Sequence, residues 1–254
     1  MLWSLEFVGM GDPARCGLDP RAVEVVYAGQ LWPGGMARDA VNRPVVEQSI
    51  VPRIEQKRPR FVVLDVGHWP ASEIGKYVDL LETFGASLRG RWSGRIGLFE
   101  VLPPATYGIE ALATSADLRA WQDRALKAEA ILPHVNALFP SFYSTSPDFA
   151  AWRRAADMAI DVAKRHGLPV YGFVWPLYLS DNPSLAGRFV PRELWRRQLD
   201  YLLARGLEGV VVWGSPTDDQ GRPVAWNPNA GWWIETKAFL AALRQDPAIE
   251  GCDL

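Results

Sequence analysis

Arg60-Phe-Val-Val-Leu-Asp65-Val-Gly67-His68-Trp69-Pro70 is the stretch whose reading decides the fold. Four apolar residues in succession, Phe61 to Leu64, predict a strand buried on both faces, the environment of a parallel sheet. The run then ends on an acid, a glycine, a histidine and a tryptophan. In a parallel barrel the C-terminal strand ends form the active-site face, so Asp65 stands where such folds do their chemistry. The competing role for Asp65 is to cap the turn that follows.

Outward from this strand, short apolar runs alternate with amphipathic segments. Strands are predicted over Trp3–Met10, Val23–Leu31, Phe61–Val66, Arg95–Val101, Ile131–Phe142, Val170–Trp175 and Gly209–Trp213. Helical segments follow most of them, which argues for parallel pairing with right-handed crossovers and an α/β, TIM-like (β/α) barrel of about seven strands. Ile74, Tyr77, Val78, Leu81 and Phe84 form the apolar stripe of the helix after Asp65. Ser146-Pro147 predicts the start of a helix through Phe149, Trp152, Ala156, Ile160 and Ala163, ended by His166-Gly167. Pro191 opens another through Leu194, Trp195, Gln198, Leu202 and Leu203, ended by Gly206. Residues 32 to 52 read as a long loop with a helical end. With no linker, repeat or low-complexity run, residues 1 to 254 are expected to form one domain.

Composition narrows the function. A net charge of −2 offers no electrostatic footprint for nucleic acid or an anionic membrane. No run of 18 apolar residues is present, so no membrane span is expected. The start, Met1-Leu-Trp-Ser-Leu-Glu6, lacks the pattern of a signal peptide, so the chain is expected either to be made without one or to begin inside a longer sequence. No glycine-rich phosphate loop follows a strand, and His68, His134 and His166 are too scattered for a metal, so no cofactor and no metal are expected. Twelve tryptophans fit either an aromatic core or stacking on sugar rings.

Several of these residues together resemble the hyaluronidase family of glycoside hydrolases over nearly the whole chain. Val23-Glu-Val-Val-Tyr27 leading to Leu31-Trp32-Pro33 is similar to the family's second strand, and Phe61 to Trp69 resembles its catalytic strand, where Asp-x-Glu is closely followed by Trp. Leu138-Phe-Pro-Ser-Phe-Tyr143 resembles a strand ending in an active-site tyrosine. The stretch from Arg192-Glu-Leu-Trp195 through Leu207-Glu-Gly-Val-Val-Val-Trp213-Gly214-Ser215 is similar to the last helix, strand and pocket tryptophan. The resemblance implies a distorted seven-stranded (β/α) barrel acting on a polysaccharide or oligosaccharide, with a single copy sufficient. It also implies a disulfide from Cys16 to Cys252 and hence a secreted or periplasmic setting; two free thiols in a cytoplasmic protein are the other reading.

One position departs from the pattern. Carboxylates two residues apart on a strand face the same side, and the family's second one is the general acid that protonates the leaving oxygen. The first, matching Asp65, steadies the substrate's 2-acetamido group in substrate-assisted retention. Here the second position is Gly67, which has no proton to give, and loss of a general acid costs about 10²–10⁴-fold in rate. Three readings stand open. Gly67 marks a chain disarmed by a Glu-to-Gly change; or another acid, Glu100 first and His68 only if its turn swings inward, has taken the role; or the protein binds carbohydrate without cutting it. A turn that demands positive φ would also explain a glycine.

Further substrate-binding candidates sit at strand ends: Trp69, Tyr143, Trp175, Tyr178 and Trp213. Trp232-Trp233 are expected to pack the last helix on the barrel in preference to forming a subsite, and Asp218 and Asp219 to be solvated turn residues. After the fourth strand the family carries a tyrosine-rich segment, whereas this chain has Val101-Leu-Pro-Pro104, and its arginines fall mostly on helices, so a neutral polysaccharide fits as well as hyaluronan. A different barrel enzyme, with Asp65 handling a small metabolite in a closed pocket, is the reading furthest from these.

Overall fold

A computed structural model of the chain describes residues 1–35, 39–67, 69–106, 115–252 and 254. Among them are six strands: β1 (Leu2–Leu5), β2 (Val23–Tyr27), β3 (Phe61–Asp65), β4 (Arg95–Leu98), β5 (Tyr171–Val174) and β6 (Gly209–Gly214). All pair in parallel, in the orders β1-β6-β5 and β2-β3-β4. β3 is buried from Phe61 to Leu64, as its four apolar residues require, and Asp65 is its first half-exposed position. Register follows from that burial: Tyr27 of β2 lies opposite Asp65.

The expected strand over Ile131–Phe142 is not one. Its first part is a 3₁₀ turn, Glu129–His134, containing Pro133. The remainder makes only single bridges, Phe99 with Phe139, Leu138 with Val170 and Ser141 with Phe173. Pro140 has no N–H, so a continuous ladder is impossible there. Its carbonyl still accepts from Phe173 N at 2.8 Å, and Phe139 O accepts from Glu100 N at 3.2 Å, so the segment bridges β4 to β5 and links the two sheets. Gly97 permits this approach, since a Cβ there would collide with the Ala137 carbonyl and the Phe139 ring. Between β1 and β2, no ladder is present among the described residues.

Six main helices cover the sheets: α1 (Val51–Lys57), α2 (Ile74–Leu88), α3 (Ser115–Ala128), α4 (Phe149–Lys164), α5 (Arg192–Ala204) and α6 (Gly231–Arg244). Tyr77, Leu81 and Phe84 of α2 are buried as the stripe requires. α4 is capped by Asp148 and not by Ser146: the Asp148 carboxylate accepts from Ala150 N and Ala151 N. Leu203, expected on the inner face of α5, is exposed. Residues 43 to 57 are helical in three successive pieces, so less of the 32–52 segment is loop than its composition implies. Trp232 and Trp233 are fully buried against Trp3, with ring centroids 6.5 and 5.5 Å away, which makes them core.

Cys16 and Cys252 form a disulfide, with Cα atoms 5.5 Å apart. A neighbouring bond joins the same two chain regions, Arg244 donating to Gly17 O at 2.7 Å, and Lys237 Nζ of the last helix donates to Cys252 O at 2.9 Å. A cross-link closing nearly the entire chain restricts the unfolded ensemble strongly. Cys16→Ser combined with Cys252→Ser is therefore expected to lower the unfolding free energy by about 2–5 kcal/mol. Guanidinium melts of the two proteins measure this, and identical midpoints would contradict it.

Candidate active site

The C-terminal ends of β2, β3, β4 and β6 bring together Tyr27, Asp65, Glu100 and Trp213, which the sequence separates widely. Asp65 is the last residue of β3 and keeps the apolar surroundings of that strand on one side. Burial pushes its carboxyl up to about 6. Glu100 follows β4 by two residues and lies deeper. Burial, and after it the negative charge of Asp65, push its carboxyl up to about 8, while a hydrogen bond with Ser141 acts in the opposite direction. Glu100 Oε1 is buried and has no hydrogen-bond partner among the described residues.

The two carboxyls share a cavity of about 240 Å³, whose wall also includes Gly67, Trp69, Tyr77 and Phe99. A separate cavity of about 500 Å³ follows the unpaired border between β1 and β2 and is lined by Tyr27, Glu24, Trp213 and Ser215. Trp213 Nε1 donates to the Tyr27 hydroxyl at 2.8 Å, closing the mouth across that border. Behind it the aromatic rings continue: Tyr143 stacks on Trp213 with centroids 5.8 Å apart, and Trp175 meets Trp213 edge-on at 5.5 Å. Burial, then the charges of Glu100 and Asp65, raise the Tyr143 hydroxyl well above its usual range, so it is a neutral hydrogen-bonding group beside the carboxyls.

The backbone at the two key positions is opposite to what residue preference would produce. Gly67 does not have positive φ, and a Cβ built there meets nothing within 4 Å among the described residues. Neither a strained turn nor crowding requires glycine at this position. Glu100, by contrast, has φ +57°, a left-handed conformation that costs a non-glycine residue about 1 kcal/mol. Two hydrogen bonds hold the strand there, from Phe99 N to Leu64 O at 3.0 Å and from Glu100 N to Phe139 O at 3.2 Å.

Other expected residues are distributed differently. Trp69 is wedged between Trp32 and Tyr77, with centroids at 5.4 and 5.1 Å, and its carbonyl accepts from the Tyr77 hydroxyl at 2.9 Å, so it anchors the turn after Asp65 as well as lining the cavity. Tyr178 lies in the segment after β5, bridged to Ser144, and lines neither cavity. His68 lies outside the described residues. Asp218 is buried, not solvated, and its carboxylate accepts from Arg222 Nε at 2.7 Å and from Gln220 N and Arg222 N. Tyr27, Tyr77 and Ser141 were not expected at the site. Tyr27 had a usable signal, being the last residue of its strand; Tyr77 reads as one more apolar position of a helix, and Ser141 sits inside what resembles a strand.

No protein-family model matches the chain, and no curated protein does. Among solved structures, bee venom hyaluronidase in complex with a hyaluronic acid tetramer superposes with a TM-score of 0.59 at 12% identity, over 98% of each chain. A mutant endo-β-1,3-glucanase from Amycolatopsis mediterranei, in complex with laminaritriose and laminaribiose, gives 0.52 at 14% identity, over 92% of this chain and 96% of that one. A chitinase from Chromobacterium violaceum gives 0.51 at 13%, over 86% and 80%. The fold is thus of the α/β barrel type, with six parallel strands among the described residues.

Two stability effects follow from this geometry. Gly67→Ala is expected to fold normally and to gain about 0.4–1 kcal/mol, because the native backbone accepts a side chain and the unfolded chain loses freedom. The Glu100 carboxyl takes up a proton on folding at any pH between its ordinary value of 4.5 and about 8, so its contribution to stability falls as pH rises through that window. Glu100→Gln escapes that fall. Its advantage over wild type should be absent below about pH 4.5, grow by up to about 1.4 kcal/mol per pH unit, and level off above about pH 8. Urea melts at a series of pH values measure the difference; a gap independent of pH would show that Glu100 is ionised in the folded protein.

Proposed function

We propose that the protein is a glycoside hydrolase that cleaves within a polysaccharide, with Asp65 as the anionic partner and Glu100 as the proton donor. The observation that carries this reading is the inversion at the two positions: glycine where the backbone accepts any residue, and a glutamate where it disfavours one. A carboxylic acid maintained against both backbone strain and burial is the pattern of a group retained for chemistry. At pH 7 a carboxyl near 6 is largely ionised and one near 8 largely protonated, so a base or anion and an acid coexist within one cavity.

The steps follow from those states. The substrate lies across the mouth, one sugar over the stacked Trp213 and Tyr143 rings and the next towards Glu100. Glu100 gives its proton to the glycosidic oxygen as the bond to the anomeric carbon breaks. Asp65 supports the positive charge that develops on the sugar, and a water then completes hydrolysis. Retention of the anomer is our expectation, carried by a 2-acetamido group where the sugar has one, with Asp65 steadying that group. Tyr27 supplies a neutral hydroxyl for the sugar. The disulfide fits a protein working in an oxidising compartment, outside the cytoplasm.

A second reading is favoured by the empty space at Gly67. Gly67 borders the shared cavity, and a Cβ there meets no described atom within 4 Å, so the position has room for the start of a side chain. In that reading the chain is disarmed at position 67 and retains a carbohydrate-binding groove.

Reducing-end release from a panel including hyaluronan, chitin oligomers and β-1,3-glucan tests both readings, with wild type, Glu100→Gln and Gly67→Glu compared. Under our proposal wild type cuts one of these, Glu100→Gln is slower by about 10²–10⁴-fold, and kcat/KM falls below about pH 6 and above about pH 8. Activity confined to Gly67→Glu supports the disarmed chain. Wild-type cutting that Glu100→Gln leaves unchanged would refute Glu100 as the acid.

A further inference from the structure

At the end of the barrel opposite Asp65, a third cavity of about 460 Å³ is lined by Arg58, Arg60, Arg91 and Arg95, with Trp92 and Tyr171 among its other walls and no acidic residue among the described ones. Its position follows from strand direction. Phe61, Arg95 and Tyr171 are the first residues of β3, β4 and β5, whereas Asp65 is the last of β3. A five-residue strand separates the two ends by roughly 13 Å.

The guanidinium groups have fixed supports, and among the described residues only Arg91 of the four has a carboxylate partner. Arg91 is bidentate to Glu55, at 2.6 and 2.7 Å. Arg95 donates to the Asn136 carbonyl at 3.2 Å, and Arg60 lies over the Phe61 ring, 5.5 Å from its centroid. The Arg58 side chain makes no ion pair or hydrogen bond among the described residues, and its backbone is left-handed, with φ +46°. The walls are tied together by Trp92 Nε1 donating to Pro59 O at 2.7 Å and Arg95 N to Arg60 O at 2.9 Å. Four like charges converging on one cavity in a chain of net charge −2 do not follow from composition. Their mutual repulsion is relieved by an anion, and the planar fork of arginine matches the oxygens of sulfate, phosphate and carboxylate.

We propose that this rim is an oxyanion-binding site, for sulfate, phosphate or carboxylate groups carried on an anionic saccharide or present as free ions. It takes no part in the Asp65 and Glu100 chemistry, and it stands whether or not those residues cut a polysaccharide. The volume exceeds what a single inorganic ion needs, and the half-buried Trp92 and Tyr171 rings offer apolar surface, so the saccharide-borne anion is the preferred ligand.

Titration calorimetry at low salt tests the site with a fully sulfated oligosaccharide, inorganic sulfate, inorganic phosphate and a neutral oligosaccharide of the same length. The sulfated oligosaccharide should bind to the rim, and its affinity should fall as salt is raised. Arg58→Gln with Arg60→Gln should weaken it at least tenfold, and Arg95→Gln likewise; each variant's melting temperature is measured beside it so that loss of binding is not loss of fold. Inorganic ions binding as well as the oligosaccharide would support the site with a free ion as its ligand. Absence of binding by every anion, or binding that the arginine variants leave unchanged, would overturn the proposal.

Discussion

Burial of β3 on both faces is the constraint on which the rest depends. Four apolar side chains can leave water together only if β2 and β4 flank the strand and helices cover the sheet, and that enclosure sets the register from Phe61 to Asp65. The carboxylate at the end of the strand then has no freedom of place. It emerges beside Tyr27, in surroundings dry enough to raise its proton affinity. Without that desolvation Asp65 and Glu100 would both be ordinary ionised surface acids at neutral pH, with little difference in proton affinity between them.

The sheet is closed by weaker means than ladders. The segment around Pro140 links β4 to β5 by isolated bridges, and the β1 and β2 border is spanned at its mouth by a side-chain bond, Trp213 to Tyr27. Both irregularities serve the site. The first positions Ser141 against Glu100 and helps hold the left-handed turn that presents its carboxyl; the second leaves a slot lined by Tyr27, the strand partner of Asp65. A regular eight-stranded barrel would fill that slot with a paired strand. The aromatic residues divide along the same line. Trp3, Trp195, Trp232 and Trp233 fill the core, while Trp213 and Tyr143 extend that packing to the mouth.

Much of this was legible from the chain itself. The strand expected over Phe61–Val66, which spans Phe61–Asp65, the helix striped from Ile74 to Phe84, which runs to Leu88, and the α/β barrel class come from apolar period and punctuation, which respond to local sequence. The break at 131–142 was missed because apolar content resembles a strand while Pro133 and Pro140 deny it the ladder. The Asp148 cap was missed in favour of Ser146 because both residue types cap well and only the backbone selects between them. Glu100 could be named as a candidate acid, but neither its left-handed backbone nor its depth can be read from Arg95-Ile-Gly-Leu-Phe-Glu100.

What the sequence alone determined is therefore the alternation of elements, the position of Asp65 at a strand end and a glycine two residues after it, all of which depend on neighbours within a few residues. Tertiary structure alone decided that Gly67 is glycine without backbone need, that Glu100 shares a cavity with Asp65, that Tyr27 and Trp213 close the mouth, and that four arginines meet at the opposite rim. Those facts concern desolvation, φ and charge proximity between segments far apart in the chain. Such quantities exist only once the strands are side by side.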